Sequence, residues 1–481
     1  MPTLRDYQHK AVEAVLSKPH RVCLTLPTGA GKTVVAAEIA RRFNGPTLFL
    51  CHRRELVHQA AEKLRAVGLA VGVIMAGAKR SDSPHQVASI QSLARRLKPT
   101  AELVIADECH VALSQTYRAI LDAYAESKIV GLTATPVRLD GKGLGALFDE
   151  LLVAATPAEL IQQGFILSPR VFGPPPPSLE GVRVKRGEYD QRELAEAVDR
   201  PALVGDVADQ FIKHGRGKAL GFAVNVQHSR DLVAACVAKG VLAEHVDGSM
   251  PIDQRNDVFR RWRHGHTQLV FNCSVLDVGF DFPEIETLIQ ARPTASLVVH
   301  LQQLGRGCRP AAGKPDFVVL DHAGNFERHG FLADDRTWTL DGIEKKPREA
   351  VQKAIRCKAC FAVNVPRATA CWNCGAALLP EEQPAPSVGD GELVEVLPRA
   401  KPILGATFAV KRDWWAKFGN RPGAFGRFVD HFGHQPATYR GRLLHPTDPA
   451  DKEAREALWF GMVTGMGRQK ATFVMKARLR G

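Results

Sequence analysis

Leu26-Pro-Thr-Gly-Ala-Gly-Lys-Thr33 stands between two segments with different hydrophobic patterns. The apolar run 21–26 predicts a buried strand, and the amphipathic run 33–43 predicts a helix. A strand, a glycine-rich turn and a helix together form an arrangement that binds phosphate, because N–H groups at the start of the helix point at the anion. The sequence therefore predicts a phosphate-binding loop in a parallel α/β fold.

The residue types in this loop suit a nucleotide with magnesium. Gly29 and Gly31 let the backbone approach the phosphates, Lys32 places a cation against the β and γ oxygens, and Thr33 offers a hydroxyl to Mg²⁺. The strict pattern begins with a glycine, where this chain has Leu26. A turn that only caps a helix is the alternative, but it needs neither Lys nor Thr at these positions. The predicted nucleotide contacts in the loop are Thr28, Gly29, Ala30, Gly31, Lys32 and Thr33.

A second motif, Asp107-Glu-Cys-His110, follows another predicted buried strand at 102–106. Ligands bind at the carboxyl ends of strands in open parallel sheets, so both carboxylates should lie beside the loop. Asp107 would hold Mg²⁺ together with Thr33, and Glu108 would orient and deprotonate the attacking water. Acidic pairs at strand ends are common, so this motif is informative only together with the phosphate-binding loop.

The order of motifs over residues 1 to about 335 resembles that of superfamily 2 helicases and translocases of the DExH kind. The further motifs that carry this resemblance are Leu4-Arg-Asp-Tyr-Gln8, His52-Arg-Arg-Glu-Leu56, Ala88-Ser-Ile-Gln-Ser-Leu93, Thr133-Ala-Thr-Pro136, Asn272-Cys-Ser-Val-Leu-Asp-Val-Gly-Phe-Asp-Phe-Pro283 and Gln302-Gln-Leu-Gly-Arg-Gly-Cys-Arg309. The motifs Asp-Glu-Cys-His and Thr-Ala-Thr differ from the Asp-Glu-Ala-Asp and Ser-Ala-Thr of the RNA-remodelling branch, which favours a DNA-directed relative.

The resemblance implies roles for residues outside the first two motifs. Gln8 would contact adenine, and Gly279 and Asp281 would face nucleotide and nucleic acid. The catalytic set would be Lys32, Asp107, Glu108, Gln302, Arg306 and Arg309. In that set Gln302 would position the water or the γ-phosphate. Arg306 and Arg309 would stabilise the charge on the transferring phosphoryl group when two lobes close.

Short apolar strands alternate with amphipathic helices, a pattern typical of parallel sheets covered on both faces. We predict an α/β fold with two tandem RecA-like, doubly wound parallel-sheet lobes, a small four-cysteine zinc ribbon and a basic C-terminal domain of unknown fold. The predicted strands are 21–26, 47–51, 102–106 and 128–132 in the first lobe, and 218–224, 268–272, 287–290 and 317–321 in the second. The predicted boundaries are 1–155 for lobe 1, 156–201 for the inter-lobe connection, 202–335 for lobe 2, 336–355 for a linker, 356–378 for the ribbon, 379–396 for a flexible linker and 397–481 for the basic domain.

Cysteine spacing divides ten cysteines into two groups. Six are scattered through the lobes, where a cysteine behaves as a small hydrophobe. The other four form two Cys-x-x-Cys pairs ten residues apart, which predict a tetrahedral Zn²⁺ site. The alternatives are disulfides or a redox motif, which a reducing compartment disfavours. The predicted zinc ligands are Cys357, Cys360, Cys371 and Cys374.

Positive charge is concentrated at the C-terminal end. Residues 397–481 hold sixteen Lys or Arg against six Asp or Glu, a net of +10 within a chain of +13. Aromatic residues such as Trp414, Trp415, Phe425 and Phe428 are interleaved with these charges, as in surfaces that stack bases and contact phosphates. A small apolar core under a solvated basic surface is the alternative for the aromatic residues.

Together these features predict an ATP-dependent nucleic-acid motor, with ATP, Mg²⁺ and Zn²⁺ as cofactors and DNA favoured over RNA. Two lobes, a ribbon and a basic tail resemble the RadD-like group of bacterial DNA-repair helicases, which implies a role in repair or recombination. A repair-protein partner could then bind the ribbon or tail. The alternatives are a double-strand DNA translocase that does not unwind, and a DNA-binding scaffold with a switch-like ATPase. No apolar run of roughly eighteen residues predicts a membrane span, so we expect a cytoplasmic protein without membrane contact, nucleoid-associated if bacterial.

Overall fold

The computed structural model describes residues 4–18, 20–79, 81–111, 115–185, 187–198, 201–273, 282–343 and 354–378, and the backbone of 438–439 and 442–443. At 55 and 201–205 only the backbone is described. Gly279, Asp281 and nearly all of the predicted basic domain therefore lie outside the described residues. The chain divides into two compact units, 1–381 and 382–481, and the paired strands 438–439 and 442–443 belong to the second.

Lobe 1 contains a parallel sheet of seven described strands. Along the chain, its elements are α1 (Asp6–Ser17), β1 (Arg21–Thr25), α2 (Lys32–Phe43), β2 (Thr47–Cys51), α3 (Arg54–Ala66), β3 (Val71–Ile74), β4 (His85–Ser89), α4 (Ile90–Leu93), β5 (Leu103–Asp107), a 3-10 turn (Cys109–Val111), α5 (Gln115–Asp122), β6 (Lys128–Thr133), β7 (Glu150–Val153) and α6 (Pro157–Gln162). The strand order is β3-β4-β2-β5-β6-β1-β7. The phosphate-binding strand β1 thus lies next to β6, with β5 one strand further along.

Lobe 2 repeats this architecture with six described parallel strands. After β8 (Pro169–Phe172), β9 (Val184–Lys185) and β10 (Glu188–Tyr189), its elements are α7 (Gln191–Val198), α8 (Pro201–His214), β11 (Lys218–Phe222), α9 (Val226–Ala238), β12 (Ala243–Asp247), α10 (Ile252–Arg263), β13 (Leu269–Cys273), β14 (Ile285–Gln290), α11 (Leu297–Gly307), β15 (Phe317–Asp321) and α12 (Asn325–His329). The strand order is β12-β13-β11-β14-β15-β8. These two sheets confirm the predicted α/β fold.

Each sheet is covered on both faces by apolar side chains. In β1, Val22 and Leu24 join a core with helices α1, α2 and α3, whereas Cys23 joins the opposite core with α4 and α5. This alternation follows from the two-residue period of a strand. The first of these cores continues into lobe 2, where it includes Leu301 and Leu304 of helix α11. Helix α11 is therefore packed against the layer that supports the phosphate-binding loop.

Strand β8 lies inside the segment that we predicted to connect the lobes. It pairs in parallel with β15 and forms an edge of the second sheet. Pro169 begins this strand, a position at which the missing N–H of proline is tolerated. The proline run 174–177 that follows has neither helix nor strand. The predicted domain boundaries stay predictions.

Two short hairpins make further contacts with lobe 1. Strands β9 and β10 form the first, which we call the bridging hairpin (184–189). The second consists of β16 (Trp338–Thr339) and β17 (Gly342–Ile343), in the region predicted as a linker. Both reach the loop 138–145 of lobe 1, which we call the anchor loop. Within the described part of the chain, no helix is both long enough and apolar enough to cross a bilayer.

Candidate active site

The phosphate-binding loop joins β1 to α2 through two left-handed glycines. Gly29 has φ +87° and Gly31 has φ +82°, values that residues with a side chain rarely adopt. Gly31 is the N-cap of α2, so Lys32 and Thr33 are its first two residues. The first N–H groups of a helix have no intrahelical partner and carry partial positive charge. The loop therefore has the backbone geometry that an anion site requires.

Gln8 contacts this loop directly. Its side-chain Nε2 donates to the carbonyl of Ala30 at 2.9 Å, and Tyr7 Oη donates to the same oxygen at 2.8 Å. The N–H of Arg5 donates to Gln8 Oε1 at 3.0 Å. Gln8 therefore lies against the phosphate-binding loop in this structure, and its predicted contact with adenine stays a prediction.

The two acidic residues of the second motif lie at the end of β5, within the protein interior. Asp107 is the last residue of the strand, and Glu108 has φ +48° in the left-handed region, which turns the chain sharply. The N–H of Glu108 donates to Asp107 Oδ1 at 3.0 Å. The sequence correctly placed both carboxylates at the end of a central strand.

Burial and neighbouring charges give the two carboxyls different pKa values. Burial, reinforced by the charge of Glu108, raises the pKa of Asp107 to about 7. Burial also raises the pKa of Glu108, but opposing charges, Lys32 foremost and Arg306 among them, outweigh burial and lower the pKa below its usual value. A divalent cation beside Asp107 would favour its ionised form. The donor set of the Asp107 carboxylate and the Thr33 hydroxyl thus fits Mg²⁺.

His110 connects this acidic pair to lobe 2. Gln302 Nε2 of helix α11 donates to His110 Nε2 at 3.2 Å, so the proton of the neutral imidazole lies on Nδ1. That nitrogen is 3.1 Å from Thr133 Oγ1 and 3.4 Å from Glu108 Oε2. Burial, with help from the charge of Lys32, lowers the pKa of His110 against the opposing effect of Glu108. Sequence reasoning assigned no role to His110, although it lies within the quoted motif.

Thr133 continues this hydrogen-bonded chain toward the lobe-coupling motif. Its Oγ1 donates to the carbonyl of Thr135 at 2.9 Å and accepts from the N–H of Thr135 at 3.1 Å. A continuous set of contacts thus runs from Gln302 in lobe 2 through His110 to the Thr-Ala-Thr segment in lobe 1.

Helix α11 approaches the phosphate-binding loop closely, because the residue at the point of contact is a glycine. A Cβ on Gly305 would lie 2.4 Å from Thr28 Cβ, so only glycine permits this approach. Cys308 Sγ donates to the carbonyl of Thr28 at 3.2 Å. The helix extends to Gly307, so Arg306 lies in its last turn.

Both predicted arginines are largely buried in this interface. The positive charge of the Arg306 side chain lies close enough to Glu108 to lower the pKa of that carboxyl. Arg309 Cγ would lie 3.4 Å from a Cβ on Gly29. Burial lowers the pKa of Arg309 to about 10, which leaves the guanidinium charged at neutral pH. The structure therefore brings Arg306, Arg309 and Gln302 of lobe 2 to the Lys32 and Glu108 side of lobe 1.

A buried lysine that sequence reasoning missed supports the end of α11. Lys314 Nζ donates to the carbonyls of Gly307 at 2.6 Å, Arg309 at 2.9 Å and Pro283 at 2.9 Å. A cation at a helix C-terminus satisfies carbonyls that have no intrahelical partner. Lys314 lies in a Gly-Lys-Pro turn outside the helix, so no local pattern reveals this contact.

The four ribbon cysteines form a compact cluster. Their sulfur atoms all lie within 4.8 Å of one another. The Cys357–Cys374 and Cys360–Cys371 sulfurs are 3.7 Å and 3.6 Å apart. A disulfide requires about 2 Å, whereas tetrahedral zinc with bonds of about 2.3 Å requires sulfurs about 3.8 Å apart. The geometry therefore fits a zinc ribbon.

The ribbon is packed on the edge of lobe 2. The N–H of Gly173 donates to the carbonyl of Phe361 at 2.9 Å, and Phe172 bridges to Ala362. The guanidinium of Arg170 lies 4.9 Å from the Trp372 ring centroid, and its Nη2 donates to Asn373 Oδ1 at 3.2 Å. Two of the cysteines, Cys357 and Cys371, belong to the apolar core of lobe 2.

Known protein families match both lobes. The profile described as the type III restriction enzyme, res subunit, matches residues 1–138, and that of the helicase conserved C-terminal domain matches 204–311. The putative mitochondrial ATP-dependent helicase irc3 of Schizosaccharomyces pombe is 30% identical over 366 residues, which cover 71% of this chain and 60% of that protein. The DNA 3'-5' translocase XPB2 of Sulfurisphaera tokodaii is 27% identical over 351 residues, which cover 63% of this chain and 78% of that protein.

A solved structure agrees with the fold. The fragment structure of a putative HsdR subunit of a type I restriction enzyme from Vibrio vulnificus has a TM-score of 0.52 at 22% identity, over 67% of this chain and 64% of that one. The chain thus spans less than two thirds of the length of two of these three relatives. With the res-subunit profile on the first parallel-sheet lobe and the helicase C-terminal profile on the second, the chain carries the paired domains of a superfamily 2 helicase.

Proposed function

We propose that this protein hydrolyses ATP to move along or unwind DNA. The observation that carries the proposal is the contact between lobes: Gln302 of lobe 2 donates to His110, which lies 3.4 Å from the predicted general base Glu108 of lobe 1. A movement of lobe 2 therefore changes the surroundings of Glu108. This is the connection that a motor needs between nucleotide state and lobe position.

In the proposed mechanism each catalytic residue has one task. The start of α2 and Lys32 bind the β and γ phosphates, and Glu108 accepts the proton of the attacking water. Gln302 orients the water or the γ-phosphate. Arg306 and Arg309 come from a separate lobe, so they stabilise the transferring phosphoryl group only while the lobes are closed.

We propose Mg²⁺ and Zn²⁺ as the metal ions. Thr33 and Asp107 would hold Mg²⁺, which neutralises charge on the β and γ phosphates when bound. Cys357, Cys360, Cys371 and Cys374 would hold Zn²⁺ as a structural ion that supplies no step of the reaction. Zinc content per chain, measured on the purified protein, tests the second assignment without any activity assay.

DNA is the proposed track, and repair or recombination is the proposed setting. The name of the Sulfurisphaera relative specifies a DNA 3'-5' translocase. The excess positive charge of 397–481 and the ribbon next to lobe 2 support membership of the RadD-like group. A repair-protein partner at the ribbon or tail and a nucleoid location belong to the same proposal.

Translocation along duplex DNA without unwinding is the second candidate. Two similarities favour it, because the res-subunit profile matches lobe 1 and the restriction-type HsdR fragment shares the fold. Strand displacement and triplex displacement, measured side by side, distinguish the two motors. Triplex displacement without strand separation would support the translocase.

The first test is ATP hydrolysis by the full chain with single-stranded DNA, duplex DNA or RNA at moderate salt. We expect DNA to stimulate hydrolysis and Lys32→Ala to reduce the rate at least about 100-fold, because the phosphates lose their cation. Arg118→Ala is a matched control, since Arg118 is an exposed cation on α5 that pairs with Asp122. Hydrolysis that no polymer changes would contradict the motor and favour the scaffold with a switch-like ATPase.

A further inference from the structure

The bridging hairpin contacts the start of helix α11, which carries Gln302 and Arg306. Glu188 Oε1 accepts from the N–H of Ala295 at 2.7 Å, and Glu188 Oε2 accepts from Thr294 Oγ1 at 2.6 Å. Arg292 Nη2 lies 3.5 Å from the same carboxylate. The hairpin therefore binds the two residues that precede Ser296, the N-cap of α11.

A residue distant in sequence lies beside the start of helix α11. The side chain of Ser296 makes no capping hydrogen bond, and its Oγ is buried without a hydrogen-bond partner. A carboxylate near a helix N-terminus interacts favourably with the helix dipole. Glu188 supplies this carboxylate from a segment 107 residues away.

The turn of the same hairpin rests on lobe 1. Gly187 has φ +85°, and a Cβ there would lie 2.4 Å from the carbonyl oxygen of Leu139 and 2.6 Å from the backbone of Asp140. Only glycine allows this approach. The contacted residues belong to the anchor loop, which begins five residues after Thr133. Adjacent residues of the hairpin thus contact lobe 1 and the start of α11.

The second hairpin fixes the anchor loop from the other side. The N–H of Gly143 donates to the carbonyl of Asp341 at 3.2 Å, and the N–H of Gly145 donates to the carbonyl of Leu340 at 2.9 Å. A side chain at Gly143 would collide with the Leu340 carbonyl. The anchor loop is therefore held in place where the bridging hairpin meets it.

We propose that Glu188 is a positioning residue that couples the Thr-Ala-Thr segment of lobe 1 to the arginine-bearing helix α11 of lobe 2. The coupling runs from Thr133 through the anchor loop to Gly187, and from Glu188 to Ala295 and α11. It is a second connection between the lobes, parallel to the contact of Gln302 with His110. The inference rests on the proposed motor function, because it assigns a task within the ATPase cycle.

Hydrogen exchange tests the coupling without any enzymatic activity. We expect Glu188→Ala to speed exchange in two separate regions, at 294–301 in lobe 2 and at 138–145 in lobe 1. A residue that only caps α11 would affect the first region alone. Glu196→Ala is the matched control, because Glu196 lies on the nearby helix α7, is exposed and pairs only with Arg192 among the described contacts. Unchanged protection of the anchor loop in Glu188→Ala would overturn the proposal.

Kinetics test the assigned task. We expect Glu188→Ala to lower the DNA-stimulated kcat about tenfold with the KM for ATP within about twofold, since misplaced catalytic groups reduce the rate without removing nucleotide contacts. Thr294→Val removes the hydrogen bond from Thr294 Oγ1 to Glu188, and its effect should be less than additive with that of Glu188→Ala. A raised KM with unchanged kcat would also overturn the proposal. If the wild-type chain shows no Lys32-dependent hydrolysis, the motor function fails, and the exchange measurement still decides the coupling.

Discussion

At the scale of single residues, His110 lies where the two lobes meet. It accepts from Gln302 of lobe 2 on one nitrogen and faces Thr133 and Glu108 of lobe 1 with the other. A neutral imidazole can accept and donate at once, which a carboxylate or an ammonium cannot do. This property explains why a histidine suits the last position of Asp107-Glu-Cys-His110.

We expect His110→Ala to reduce DNA-stimulated ATP hydrolysis about tenfold while the KM for ATP changes little, because the phosphate contacts remain in place. Hydrolysis rates of the wild-type protein and of the variant, both at saturating DNA, measure the effect. A double-mutant cycle with Gln302→Ala should show strong non-additivity, since both changes break the same contact. Independent, additive effects would indicate that the two side chains act separately.

Site residues with a local signature could be predicted from the sequence, and those defined by distant contacts could not. A glycine-rich turn in the sequence indicates Lys32. The end of a predicted strand indicates Asp107 and Glu108. Glu188 begins the two-residue strand β10 and Lys314 lies in a turn, and each acts through contacts made only after the chain folds. No pattern of neighbouring residues encodes such contacts.

At the scale of secondary structure, the predicted central strands agree with the structure to within two residues at either end. Strands β3, β7, β8 and β12 were missed, and all four are sheet edges. The edge strand β12, Ala-Glu-His-Val-Asp, carries polar residues and therefore lacks the continuous apolar run of a buried strand. Strand β4 is internal, but its first two residues, His85 and Gln86, are polar and interrupt the apolar run that predicts a buried strand.

Helix α11 offers an electrostatic test at its C-terminal end. Burial lowers the pKa of Lys314 from its ordinary value of 10.5 to about 8. Between these values the unfolded chain binds more protons than the folded one, so the free energy of unfolding should rise with pH. We expect a gain on the order of 1 kcal/mol from pH 8 to 10, measured by denaturant unfolding. Lys314→Met should remove this gain, and an equal pH dependence in both proteins would contradict it.

At the scale of the whole molecule, the ribbon is packed against lobe 2 and shares its apolar core. Cys357 and Cys371 share a core with Phe172 and Phe211 of the lobe. The ribbon also covers the edge strand β8, whose free backbone groups would otherwise be exposed. Metal binding should therefore stabilise the lobe as well as the ribbon.

We expect removal of zinc with a chelator to lower the melting temperature by several degrees, on the order of 5 °C, because the ribbon loses its folding energy and releases β8. Cys374→Ser should abolish zinc binding and have the same effect. Cys51→Ala is the control for zinc content, since Cys51 is a buried cysteine of β2 far from the cluster in sequence. A chelated protein that melts like the untreated one would show that the ribbon adds nothing to lobe 2.

The chain passes from lobe 1 to lobe 2 and then returns to lobe 1. These two crossings restrict how the lobes can move apart. The first crossing between lobes leads from α6 to β8, and the second leads from α12 to the hairpin of β16 and β17. The start of α6 and the second crossing border a cavity of about 520 Å³ between the lobes, beside Thr28 and Leu301. Two lobes joined by one crossing can rotate about any axis through it. Two lobes joined by two crossings rotate only about the line between the crossings. The two lobes should accordingly open by rotation about the single axis that passes through both crossings. Each residue should then move in proportion to its distance from that axis.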